Sequence, residues 1–214
     1  PDTDVEETLG ALTDLVRQGK VRSIGSSSYS GSQIVEAQWT ARERGLQRFR
    51  TEQPPYSLLV RGIELDVLPT AQRHGMGILT YSPLSGGWLS GSWSADSSPT
   101  SPARQRLAAR FDMSLSENQR KLEAVEQLAV LAEETGISLI HMALAFVMRH
   151  PAVTAPIIGP RTMEQLESQI GAAEVELSDE VLDRIDEIVP PGTTISAVDQ
   201  GWQNPALQPD QLRR

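Results

Sequence analysis

The sequence predicts an α/β fold built on a parallel sheet. Short apolar runs of strand length alternate with longer stretches of helical periodicity, as right-handed βαβ units require. The strand runs end in clusters of Gly, Ser and Pro, which stop a strand and open a loop. At 214 residues with 39% hydrophobic composition, the chain has enough apolar mass for one ordinary globular core.

Thr3 is read as the opener of the first helix, with Glu6 as its capping-box partner. Val5, Leu9, Leu12, Leu15 and Val16 recur at helical spacing, and Gly19 stops the helix. Val21 to Gly25 reads as the first strand, followed by the small, hydroxyl-rich Ser26-Ser27-Ser28. Ser30 and Gln33 form a second capping box, for a helix running to about Gly45. Phe49 to Gln53 reads as the next strand, ended by Pro54-Pro55, which lack backbone donors. A helix from Ile63 to His74 and a terminating Gly75 lead to the strand Gly77–Tyr81.

After that strand, Ser82-Pro83 and two adjacent glycines open a loop. Residues 93–102 are Ser- and Pro-rich without periodicity and read as an insertion in it. Leu115 to Glu134 is helical, Gly136 breaks it, and Ser138 to His150 forms another helix ended by Pro151. Ala155 to Ile158 is the fourth strand candidate. Gly159-Pro160-Arg161 then leads into a helix begun by Thr162, with Gln165 as its capping partner. A last helix spans Ser178 to Val189, and the polar remainder from Gly192 reads as an irregular tail. About four strands are counted, half of what a closed (βα)8 barrel needs.

A net charge of −9 argues against nucleic acid or an acidic membrane surface as partner. No apolar run has transmembrane length, and the absence of Cys excludes a disulfide framework or thiolate metal site. A cytoplasmic protein is expected. His141 and His150 stand nine apart, not at the spacing of a helical metal pair, so no metal site is expected.

A Gly-containing turn just before a helix N-terminus exposes free N–H groups and the positive end of the helix dipole, and Arg161 adds a planar fork suited to phosphate. The same residues also serve as a plain helix cap with a solvated Arg. Ser27-Ser28 is equally readable as a turn feeding the next helix.

Taken together, Gly25-Ser26-Ser27-Ser28, the Gly77–Gly91 stretch and Ile157-Ile158-Gly159-Pro160-Arg161 resemble the cofactor-binding half of the aldo-keto reductases. The resemblance runs from about Thr3 to Asp199 and is similar to the bacterial NADP-dependent branch. It implies a (βα)8 barrel of the aldo-keto reductase type, present as roughly its C-terminal half, with a variable substrate loop over 86–113 and a tail over 192–214.

The resemblance also implies the site. Ser27, Ser28 and Gln53 match the residues that hold the nicotinamide carboxamide, although Ser28 stands where the family often has Asn. Tyr81 matches the aromatic that stacks on the nicotinamide ring, and Ser82, Pro83, Leu84 and Gly86 match the pyrophosphate loop. Ile158, Gly159, Arg161, Gln165 and Gln169 match the segment that receives the adenosine 2′-phosphate and adenine. Ser168-Gln169 stands where the family often has Glu-Asn.

The family's catalytic Asp, Tyr, Lys and His come from the first four strands, and none is assigned here. Tyr29, Tyr56 and Tyr81 are not substitutes for the proton donor. The implied function is NADPH-dependent reduction of aldehydes or ketones, with this chain supplying the cofactor-binding half. A non-catalytic NADP(H)-binding or scaffold protein is the alternative, and a phosphosugar-binding barrel a further one. Four parallel strands leave two open edges, so residues 1–214 alone are expected to aggregate or pair half to half.

Overall fold

The computed structural model describes residues 3–91 and 107–202. Four parallel strands, β1 (Gly25–Ser27), β2 (Thr51–Gln53), β3 (Gly77–Thr80) and β4 (Val153–Pro156), lie side by side in chain order. Helices α1 (Val5–Arg17), α2 (Gly31–Glu43) and α3 (Val67–Arg73) precede or separate the first three. Helices α4 (Ser116–Thr135) and α5 (Leu139–Arg149) lie between β3 and β4, and α6 (Met163–Ile170) and α7 (Asp179–Ile188) follow. This is an α/β fold of parallel βα units, consistent with part of a (βα)8 barrel.

The two faces of the sheet differ. Ser26, Glu52 and Ile78 share one register row, and with Thr80 they are buried against the helices. The opposite face carries Gly25, Ser27, Thr51, Gln53, Gly77 and Leu79, all half-buried or exposed. Small residues dominate it because the strands approach closely: a Cβ on Gly25 would lie 2.8 Å from the Thr51 carbonyl oxygen. At β3 the ladder to β4 slips between Ile78 and Leu79, and the Thr154 hydroxyl accepts the Ile78 N–H at 3.1 Å in compensation.

Several boundaries depart from the sequence reading. The cap of α1 is Asp4, not Thr3: its carboxylate accepts the Glu6 N–H at 2.7 Å, so no capping box forms there. The first strand is not Val21–Gly25, because pairing with β2 begins only at Gly25; Ile24 is buried in the core instead. Phe49 likewise precedes β2, its ring edge-on to Tyr29 with centroids 5.8 Å apart. The fourth strand lies two residues before Ala155–Ile158 and ends at Pro156, beyond which one further bond, Ile157 N–H to the Thr80 carbonyl at 2.7 Å, is made.

The helix expected over Ile63–His74 is split into a 3-10 turn (Gly62–Leu65) and α3. Pro69 explains the break, since in a continuous helix its ring would clash with the Leu65 carbonyl. The remaining helix signals stand: the Ser30–Gln33 capping box is complete, and Ser138, Thr162 and Ser178 each cap their helix. The expected insertion at 93–102 lies outside the described residues.

Two largely buried ionic clusters tie the C-terminal segment to the connection after β2 and to α4. Arg61 donates to Glu64 at 2.8 Å, to Asp186 at 2.7 Å and to the Val189 carbonyl at 2.5 Å, with its guanidinium 5.0 Å from the Phe146 ring centroid. Glu64 also accepts from the Tyr56 hydroxyl at 2.7 Å and the Gly192 N–H at 3.0 Å. Lys121, fully buried on α4, donates to Asp199 at 2.8 Å and to the Arg110 carbonyl at 2.9 Å. Its ammonium lies 4.5 Å from the Trp88 ring centroid, so the Lys joins the loop after β3 to the tail. The described part of that tail, residues 192–202, is thereby fastened to α4.

Candidate cofactor-binding site

Parallel strands place every predicted segment beyond the same edge of the sheet, since each follows the C-terminal end of its strand. Beyond β1 the chain turns sharply. The Ser27 hydroxyl donates to the Gln53 carbonyl at 2.8 Å, and the Ser28 N–H reaches the same oxygen at 3.3 Å. Ser28 is in the left-handed region with φ 59°. Gln53 is half-buried, and among the described residues its side-chain amide makes no hydrogen bond.

Beyond β3, Tyr81 continues the pairing through its N–H to the Pro54 carbonyl at 3.0 Å. The next residues wind through a run of positive φ: Ser82 at 56°, Ser85 at 48°, Gly86 at 67° and Gly87 at 103°. Bonds from Ser85 N–H to the Ser82 carbonyl and from Gly87 N–H to the Leu84 carbonyl, both 2.8 Å, close the turns. Pro83 is buried and Leu84 packs against the core, so these two shape the loop from beneath, while Ser82 and Gly86 are exposed.

Ser28, Ser82 and Ser85 are the non-glycine residues with positive φ among those described. Such conformations are costly for residues with a Cβ, of order 1–3 kcal/mol each, and they concentrate at functional sites. All three fall in or beside the predicted segments.

The tail completes this corner. The Gly201 backbone, at φ 78°, passes so close to the Tyr81 hydroxyl that a Cβ there would overlap it. The Ser28 hydroxyl oxygen lies 3.5 Å from the same point. Ser28, Tyr81 and Gly201 thus converge, and the sequence pattern around Gly201 gave no sign of this.

Beyond β4, Ile158 is half-buried and Gly159 and Arg161 are exposed. The Gln165 side chain is engaged in capping, accepting the Arg161 N–H at 2.8 Å, while the Thr162 hydroxyl accepts the Gln165 N–H at 3.2 Å. Its amide carbonyl is therefore already used to hold the turn. Ser168 donates back to the Gln165 carbonyl at 2.9 Å. Gln169 is 9% exposed and its Oε1 is buried without a partner, an acceptor that calls for a donor.

Tyr29 and Tyr56 are poor acids where they stand. Burial and the neighbouring Glu64 carboxylate push the Tyr56 hydroxyl far above its ordinary value. Burial, with Glu52 and Glu36 nearby, also raises Tyr29. Lysine occurs only at positions 20 and 121, and Lys121 is committed to Asp199. At Tyr56 the Arg61 guanidinium acts in the other direction, but burial and Glu64 outweigh it.

The family comparison agrees with the parallel α/β fold. The sequence model of the aldo/keto reductase family matches residues 1–190. The chain is 41% identical over 188 residues to the uncharacterized oxidoreductase YrpG of Bacillus subtilis (strain 168), covering 88% of this chain and 55% of that protein. It is 35% identical over 188 residues to protein tas of Escherichia coli (strain K12), covering 88% and 54%. It is 32% identical over 197 residues to the putative voltage-gated potassium channel subunit beta of Schizosaccharomyces pombe, covering 88% and 56%. The chain belongs to the aldo/keto reductase family. It spans about half the length of the curated relatives it matches.

Proposed function

We propose that this chain forms the NADP(H)-binding, C-terminal half of an aldo-keto reductase whose complete form reduces aldehydes or ketones to alcohols. The observation that carries the reading is the cluster of left-handed serines beyond β1 and β3, on segments of a chain belonging to this family. The residues fit the cofactor. Gln169 offers a buried, unpartnered acceptor suited to the adenine amino group, and the exposed Arg161 has a free guanidinium for the 2′-phosphate.

In this reading Ser27, Ser28 and Gln53 hold the carboxamide, and the Tyr81 ring supports the nicotinamide. The Ser82–Gly86 loop follows the pyrophosphate, with Pro83 and Leu84 fixing its path. Ile158 and Gly159 form the turn toward Arg161, and Gln165 keeps that turn in place. Bound NADPH supplies the hydride to the carbonyl carbon. The proton comes from a donor outside the described residues, since burial disfavours ionisation of Tyr29 and Tyr56.

The proposed substrate is a small carbonyl compound and the proposed setting cytoplasmic. Among the described residues no single helix is long and apolar enough to cross a membrane. The similarity to a putative channel subunit favours one second reading, an NADP(H)-binding protein without turnover.

Titration of the chain with NADPH, followed by quenching of tryptophan fluorescence with NADH as control, tests the proposal. Saturable binding that prefers NADPH is expected. Absence of binding by a folded chain refutes a self-sufficient cofactor site. Binding without turnover of any carbonyl panel by the complete protein favours the second reading.

A further inference from the structure

Glu52 is a fully buried carboxylate that the cofactor reading leaves without a role. It sits at the centre of β2, on the helix-facing side, with its side chain directed at the turn after β1. Its Oε2 accepts the Ser26 hydroxyl at 2.5 Å, and its Oε1 accepts the Tyr29 N–H at 3.0 Å. The Ser28 and Gln53 N–H groups add to the positive field around it. The backbone N–H groups can only donate, so the carboxyl oxygens accept from them, while the Ser26 hydroxyl donates to the other oxygen. Burial opposes the charge and raises the carboxyl above its ordinary value, while the donors act in the other direction.

The bonded residues bracket Ser27 and Ser28. With Ser26 and Tyr29 both fixed by one carboxylate, and Ser27 and Ser28 both bonded to the Gln53 carbonyl, the turn has little freedom. That restraint keeps Ser28 in its left-handed conformation, with its hydroxyl toward Tyr81 and Gly201. The side chain of the next residue, Gln53, projects to the other face of the sheet, where the carboxamide is proposed to lie.

We infer that Glu52 is a positioning residue for recognition of the nicotinamide end of the cofactor, acting through the Ser26–Tyr29 turn. The inference rests on the NADP(H) reading. It separates the two ends of the ligand, because the adenosine end is assigned to the segment after β4, which Glu52 does not touch. A general structural role would affect both ends alike.

The test compares two ligands, NADPH and adenosine 2′,5′-bisphosphate, on the unsubstituted chain and on Glu52→Leu and Glu52→Gln. Leucine leaves the Tyr29 N–H and Ser26 hydroxyl without their acceptor. It should weaken NADPH about tenfold or more while leaving the bisphosphate within about twofold. Glutamine keeps an oxygen for Tyr29 and an amide for Ser26, so the loss of NADPH affinity should shrink to about threefold, again without effect on the bisphosphate. The Gln variant therefore decides the matter even where the Leu variant does not fold. Equal losses for both ligands, or no loss of NADPH affinity in either variant, would overturn the inference while leaving the cofactor reading intact. An unsubstituted chain that binds neither ligand would overturn the cofactor reading and this inference with it.

Discussion

Lys121→Met isolates the charge that fastens the tail to the loop after β3. Methionine keeps the apolar stem in its packed position and removes only the ammonium. That group donates to Asp199 at 2.8 Å and to the Arg110 carbonyl at 2.9 Å. Removing one partner of a buried pair costs about 3–5 kcal/mol, because the other charge is left uncompensated. Two features move the expectation to the lower end. Asp199 keeps 11% of its side chain exposed, and Arg110 Nε stands 3.4 Å from its Oδ1. Burial already pushes the Lys121 ammonium below its ordinary value, so some of its Coulomb gain is offset. The expected loss is about 3 kcal/mol. The double variant Lys121→Met, Asp199→Asn removes both charges and should cost less than the sum of the single changes by about 1–3 kcal/mol. Urea unfolding, followed by tryptophan fluorescence, closes the cycle, with Trp88 beside Lys121 as an intrinsic probe. A coupling below about 0.5 kcal/mol would refute the anchoring role.

Three further outcomes are expected. Arg161→Gln should weaken NADPH binding by about ten- to a hundredfold with NADH unchanged, the range for loss of a charge-assisted hydrogen bond of about 1.5–3 kcal/mol; equal effects on both dinucleotides would remove Arg161 from phosphate recognition. Gly201→Ala places a Cβ against the Tyr81 hydroxyl at a left-handed φ, so it should destabilise by about 1–2 kcal/mol and speed hydrogen exchange in the tail, measured by mass spectrometry. Glu52 sets a pH dependence. Its folded value lies above 4.5, so the native state holds the extra proton, and the stability it contributes is full below pH 4.5 and lost as pH rises through the folded value. Glu52→Gln should flatten that part of the stability profile, and an unchanged slope in urea titrations at stepped pH would count against it.

The helices were legible because their signals are local. Ser30 and Gln33 are three residues apart, and their reciprocal bonds need nothing from the rest of the chain. Strand limits are not local. Val21 and Ile24 have the apolar, β-branched character of a strand, but the ladder is set by what Thr51–Gln53 can pair with, and pairing starts at Gly25. Asp4 outcompetes Thr3 as a cap by one position, a choice between two acceptable residues that sequence does not resolve. The site divides in the same way. The Ser27-Ser28, Tyr81–Gly86 and Gly159–Arg161 segments could be read as runs of small and polar residues following strands. Glu52 could not, since its partners Ser26 and Tyr29 lie 26 and 23 residues away. A glutamate in a three-residue strand gives no indication of which face it occupies.

What sequence hides at this edge of the sheet is the support behind the site. Left-handed serines persist only where surrounding contacts over-determine them. Here the contacts come from the helix side, opposite the surface where the ligand is proposed to lie. Glu52 grips the turn after β1, Ser57 bonds the Ser85 hydroxyl at 2.7 Å in the loop after β3, and Lys121 holds Trp88 and Asp199 together. The turns after β1 and β3 that face the proposed ligand can then be made largely of glycine, serine and a single tyrosine, residues that by themselves would specify no fixed shape. Substitutions behind the sheet should therefore alter binding through geometry, while substitutions on the open face should alter it through contact. The ratio between NADPH and its adenosine fragment is the quantity that tells these two apart.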